Sequence, residues 1–100
     1  TSPIVVLAIL RERPMYVYEL AAAMKERSAG KFTISVLYPV LYRLESQGYV
    51  EIQNTEIVEG RARSYYRVTE SGERHLAQCL HDYDEMTKVF DQLVKRGTAQ

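Results

Sequence analysis

The stretch ISVLYPVLYRLESQGYV, Ile34 to Val50, decides how the rest of the chain is read. Leu37, Val40, Leu41 and Leu44 recur at steps of three and four, which places them on one face of a helix. The other face carries Ser35, Pro39, Tyr42, Arg43 and Ser46, residues that hydrogen-bond or stack and do not build a core. Gly48 closes the helix, where a left-handed residue costs least. The helix start has two readings. Capping at Ser35 makes Pro39 remove the first internal hydrogen bond, whereas capping at Tyr38 gives Pro39 the comfortable first position. The expected axis starts near Ser35, with Pro39 tightening or distorting the first turn.

Downstream the spacing changes from helical to β-rich. VEIQNTEIV and SYYRVT flank Glu59-Gly60-Arg61-Ala62-Arg63, read as a turn with Gly at its tip and arginines beside it. A helix with a polar outer face followed by a ribbon with a basic tip supplies the parts of a winged helix. Such a helix enters the major groove while the ribbon lies along the backbone.

Upstream, Ile4 to Leu10 is an unbroken apolar run between Pro3 and Pro14. It is far too short to span a membrane, and no basic leader precedes it, so neither a membrane segment nor a secretory signal is expected. Read as a helix it is apolar all round, which fits either a central helix inside one domain or one that also meets a second subunit. Read as a buried strand, it has no obvious partner for parallel pairing. MYVYELAAAMKER, Met15 to Arg27, is the next expected helix, and Ser28-Ala29-Gly30-Lys31-Phe32 joins it to the third. Helix, short turn, helix is the order of a helix-turn-helix.

After the ribbon, Thr69 caps a final helix whose Glu70 and Glu73 suit the positive end of its dipole. Leu76, Leu80, Tyr83, Thr87, Phe90 and Val94 then step by fours and threes, thickened by Cys79, Met86 and Leu93, and Gly97 is the expected end. About 25 residues at 1.5 Å each give roughly 37 Å, too long for the surface of so small a domain. The excess apolar stripe is expected to meet its own copy in a homodimer. The fold class is therefore mainly α with a small β-hairpin. Residues 1–69 form the winged helix-turn-helix and residues 70–100 the C-terminal dimerisation helix of one compact unit.

A net charge of zero argues against a DNA binder only if position is ignored. Residues 1–69 carry nine Lys/Arg against seven Asp/Glu, and residues 70–100 four against six, so the basic excess lies in the winged part. Arg61, Arg63 and Arg67 fall together in the ribbon, a local footprint of the kind that polyanion binding needs. The single cysteine forms no internal disulfide and fits a cytoplasmic setting. No catalytic grouping or glycine-rich phosphate loop is present, so no enzyme and no cofactor is expected.

Three segments in this order, PMYVYEL, ISVLYPVLYRLESQGYV and GRARSYYRVTESG, resemble the PadR family of bacterial transcriptional regulators over roughly Ile4 to Leu76. LYPVLYRLE and YYRVTESG are the specific matches. The length, with one helix after the wing, resembles the shorter subgroup of that family. Val17 departs from the family pattern, in which Gly often stands between the tyrosine and the YE pair. The resemblance implies a homodimer built through the last helix and repression at a palindromic operator in double-stranded DNA. Carried over residue by residue, the recognition positions are Ser35, Tyr38, Pro39, Tyr42 and Arg43. Arg61, Arg63 and Lys31 are the wing and turn positions. Tyr16 and Tyr18 match family tyrosines near the DNA backbone or the helix packing. Some members accept aromatic small molecules between the last helices. The chain has no Trp, so Tyr83 and Phe90 are the aromatic candidates for a planar or phenolic effector. The expected seam is Leu76, Leu80, Tyr83, Met86, Phe90 and Leu93. An effector would act there or at a hinge over Thr69-Glu70-Ser71-Gly72.

For several of these residues a plain structural role competes. Tyr38 sits at the boundary of the core face, and Arg61 and Arg63 at a turn would ordinarily be a solvated loop. His75 and Cys79 stand at metal-ligand spacing, but a half-buried Cys beside a surface His is the expected reading, with no metal. Tyr66 is expected to point inward with Val68. Two other functions fit the same elements: a winged-helix module that packs its third helix on protein, and a ligand-carrying helical dimer without DNA. The second leaves Arg61 and Arg63 unexplained.

Overall fold

The apolar run at the start folds as α1, Ser2–Leu10, with Val6, Leu7, Ile9 and Leu10 buried and Ile4, Val5 and Ala8 partly so. The structure, a computed structural model, describes residues 2–98, with side chains through Lys95. Further along lie α2 (Val17–Arg27), α3 (Ile34–Ser46), β1 (Val50–Val58), β2 (Arg61–Val68) and α4 (Glu70–Thr98). One core joins Leu7 and Leu10 of α1 to Leu20 and Met24 of α2, Leu37, Leu41 and Leu44 of α3, Val50 of β1 and Leu76 of α4. No polar or charged residue is buried among the described residues. The fold is thus held by apolar burial, worth roughly 25 cal/mol per Å² removed from water.

The second helix starts later than its sequence suggests. Met15 is extended, and its backbone exchanges two hydrogen bonds with Tyr66, 3.1 and 2.8 Å, so the α1–α2 connector adds a one-residue strand to the ribbon. Tyr16 becomes the N-cap of α2, and the Glu19 carboxylate accepts its backbone N–H. At α3 neither sequence register is realised. Thr33 is the N-cap, so Pro39 lies in the second turn, and the Ser35 carbonyl receives no backbone bond from it. The C-terminus is a Schellman motif in which Tyr49 N–H bonds Leu44 O and Gly48 N–H bonds Glu45 O.

β1 and β2 pair antiparallel, with an irregularity between Ile52 and Asn54. Their turn is narrower than expected. Only Glu59 and Gly60 turn, both at positive φ (53° and 76°), which is a two-residue hairpin of the primed type. Arg61, Ala62 and Arg63 therefore belong to the strand, where pleating fixes their directions. Tyr66 packs against the core as expected.

α4 does not end at Gly97 but runs to Thr98, 29 residues, or roughly 43 Å. Its start is an anchor where the sequence suggested a hinge. Thr69 and Ser71 hydroxyls both donate to the Gly48 carbonyl, at 2.6 and 3.2 Å. Thr69 N–H bonds Tyr49 O, and the Thr69 hydroxyl caps Gly72 N–H at 3.0 Å. Gly72 serves close approach: a methyl there would overlap the Tyr49 carbonyl oxygen and lie 2.8 Å from Val68 Cγ1. The His75 ring stacks on Tyr49, centroids 4.2 Å apart. The base of α4 is thereby fastened to the turn that ends α3.

Candidate nucleic-acid interface

Burial of Leu37, Leu41 and Leu44 fixes the rotation of α3, so Ser35, Tyr38, Pro39, Tyr42 and Arg43 are all exposed. Tyr42 is 73% exposed and Tyr38 51%. Neither tyrosine side chain makes a hydrogen bond among the described residues. Ser46 is spent on its own helix, donating to Tyr42 O, and Ser35 shares a 2.9 Å hydrogen bond with Thr33.

Tyr38 faces the ribbon across an open cleft of about 600 Å³ lined also by Tyr16, Tyr18, Arg61, Arg63 and Tyr66. One wall is thus helix-turn-helix and the other is wing. Arg63 lies over the Tyr16 ring, its guanidinium carbon 4.6 Å from the centroid. Tyr65 meets the same ring edge-on at 5.5 Å and donates to the Glu56 carboxylate. Burial, with Glu56 adding to it, holds the Tyr65 phenol above its ordinary range, and burial does the same at Tyr66.

Ion pairing sorts the cations. Arg13 pairs with Glu19, Arg27 with Glu12, Arg67 with Glu51, Arg74 with Glu70, and Lys88 with Asp84 and Glu85. Lys31, Arg43, Arg61 and Arg63 make no ion pair among the described residues, and neither do Arg11 and Lys25, which lie away from the cleft lining. Arg67 thus leaves the basic ribbon group that its position in the sequence suggests, because its cross-strand neighbour is Glu51. The remaining pair, Arg61 and Arg63, keeps its charge available at the cleft. Lys31 is exposed in the α2–α3 turn.

On α4, Leu76 is fully buried in the core of its own chain, so the free stripe starts beyond it. Leu80, Tyr83, Met86, Phe90 and Leu93 are exposed, Phe90 at 61% and Leu93 at 74%. Val94, already in the step-three-and-four pattern, is exposed as well, and so is Val89, which that pattern does not contain. His75 and Cys79 approach to 3.5 Å, but no metal-binding group of three or more ligands exists among the described residues. No described helix is long and apolar enough to cross a membrane.

A helix-turn-helix backed by α1, with a hairpin whose unpaired arginines face the third helix across a cleft, defines a winged-helix protein of the kind that reads DNA. The family model described as "Transcriptional regulator PadR-like family" matches residues 6–78, and the chain belongs to that family. It is similar to a PadR family transcriptional regulator of Eggerthella lenta, with 30% identity, 94% of this chain and 81% of that chain covered, and a TM-score of 0.83. A PadR family transcription regulator of Clostridium difficile gives 25% identity, coverage of 92% and 96%, and a TM-score of 0.74. Transcriptional regulator Rv3488 of Mycobacterium tuberculosis is 36% identical over 62 residues, 62% of this chain and 57% of that protein. The family and these relatives are regulators of transcription, not enzymes.

Proposed function

We propose that this chain is a homodimeric cytoplasmic repressor that binds a palindromic operator and leaves it when a planar aromatic or phenolic molecule enters the dimer seam. One observation carries the reading: Arg61 and Arg63, without a carboxylate partner among the described residues, line one cleft with the exposed Tyr38 of α3, which also exposes Tyr42 and Arg43, while Arg13, Arg27, Arg67 and Arg74 each pair with a carboxylate. In this reading α3 enters the major groove, where Tyr42 and Arg43 reach base edges or phosphates, and the wing arginines follow the backbone. Residues 1–69 do the reading and residues 70–100 the pairing. The division is one of function, since Leu76 of α4 completes the core of the reading half.

Pairing through α4 sets two copies of α3 about 34 Å apart, one turn of the duplex. The anchor of Thr69, Ser71 and Gly72 on Gly48 and Tyr49 carries any change in the crossing of the last helices straight to the end of α3. A ligand between Tyr83, Met86 and Phe90 shifts DNA fit only through unequal affinity for the two crossings. Methionine suits such a seam because it adapts its shape.

The test is an electrophoretic shift with the DNA upstream of the chain's own gene, followed by titration of planar aromatics. The expected result is a shifted duplex, released by some of these compounds and retained by Phe90→Ala. A shift absent at every salt concentration, with the protein folded, would instead favour a module that packs α3 on protein.

A further inference from the structure

We propose that Tyr16 is a positioning residue, which acts on DNA through Arg63. The inference rests on the DNA-binding reading above and assigns Tyr16 a different part from direct contact. Tyr16 stands at the junction of three elements: it caps α2, its neighbour Met15 pairs with Tyr66 of β2, and its ring meets two β2 side chains. One of these is Tyr65, held from its far end by Glu56. The other is Arg63, whose guanidinium lies over the ring and has no carboxylate partner among the described residues.

An arginine on a strand facing solvent ordinarily samples many rotamers, and ordering it on a phosphate costs rotamer entropy. Stacking on a half-buried tyrosine removes part of that freedom beforehand. It does so without consuming the N–H groups that a phosphate needs, since a ring face takes the guanidinium plane and leaves its edge open. A carboxylate partner, as at Arg67, would fix the side chain equally well but neutralise it. The backbone bridge of Met15 to Tyr66 sets where the wing root sits, and Tyr16 sets where its charge points.

The deciding experiment is a double-mutant cycle on a mixed-sequence 30-base-pair duplex (roughly three helical turns), read by fluorescence anisotropy as a function of salt. Tyr16→Phe keeps the ring and should bind like the parent. Tyr16→Leu should lose about two- to five-fold, the size of an exposed cation–π contact. Arg63→Ala should lose more and flatten the salt slope by about one. The double variant Tyr16→Leu/Arg63→Ala should match Arg63→Ala. A second reading is independent of DNA: the Arg63 δ-protons should be shifted upfield by the ring in the parent and in Tyr16→Phe. Additive losses in the double variant, or a loss in Tyr16→Phe alone, mean that Tyr16 touches DNA itself and overturn the inference while leaving the DNA reading intact. Unshifted Arg63 protons in the parent overturn it as well. If the parent binds no duplex at any salt, the DNA reading fails, and this inference fails with it.

Discussion

The α3–wing face and the far half of α4 are both exposed and both rich in large side chains, yet their charges are arranged oppositely. On the first, exposed Tyr38 and Tyr42 lie on the helix that faces Arg61 and Arg63 across the cleft, and those arginines have no carboxylate partner among the described residues. On the second, Tyr83, Met86, Phe90 and Leu93 lie on a helix whose lysines at positions 88 and 95 pair with acids one turn earlier. A surface with unspent positive charge suits a polyanion, whose condensed counterions it displaces. A surface with apolar bulk and charge already balanced suits protein, because there only water has to leave. The same chain carries both, and α4 connects them through Leu76, which belongs to the core shared with α3.

The largest expected effect breaks the second surface. Phe90→Asp places a carboxylate in the proposed seam, at a cost on the order of 3–5 kcal/mol for an unpaired buried charge. Sedimentation should show the parent as a dimer at tens of micromolar (roughly −6 kcal/mol or stronger association) and the variant as a monomer. A variant that sediments with the parent means that the stripe faces something else.

Next comes the connection between the two surfaces. Gly72→Ala drives a methyl into the Tyr49 carbonyl and Val68, an overpacking that costs about 1–3 kcal/mol. Thermal denaturation should fall accordingly. Operator affinity of the folded variant should drop too, since the base of α4 must lift from the end of α3. A variant as stable as the parent would show that the anchor is not tight.

The smallest effect sharpens the contrast between paired and unpaired cations. The Arg27 hydrogen bond holds the Glu12 carboxyl below its ordinary range. A depressed carboxylate stabilises the folded chain at neutral pH, and that contribution is lost as acid is added through the carboxylate range. Both side chains are well exposed, so the effect is modest. Glu12→Gln should melt with a shallower acid slope than the parent, and identical slopes would remove Glu12–Arg27 from the account.

Much of this was legible in the sequence because it depends on local chemistry. The rotation of α3 follows from Leu37, Leu41 and Leu44, its end from Gly48, and the stripe of α4 from steps of three and four. What was hidden depends on distant partners. Nothing local tells Met15 to leave its helix, because the reason is Tyr66, fifty-one positions away. Glu59 adopts a positive φ only because the paired strands require a two-residue turn, so local spacing places Arg61 and Arg63 in a loop that the ribbon absorbs. Gly72 looked like freedom in a hinge, and the carbonyl of Tyr49 gives it the opposite meaning. Periodicity put Leu76 in the apolar stripe but does not say whether its own chain or a second copy buries it. Arg67 counted as a wing cation until the register set it opposite Glu51.

The central claim, that the unpaired cations of the wing meet DNA, is tested most directly by the salt dependence of duplex binding in two matched double variants. Arg61→Ala/Arg63→Ala should flatten the slope of log K against log salt by about two. Arg27→Ala/Arg67→Ala, which removes the same charge from residues already neutralised by Glu12 and Glu51, should leave the slope where the parent has it. Equal slopes for both double variants, or a change confined to the second, would contradict the account.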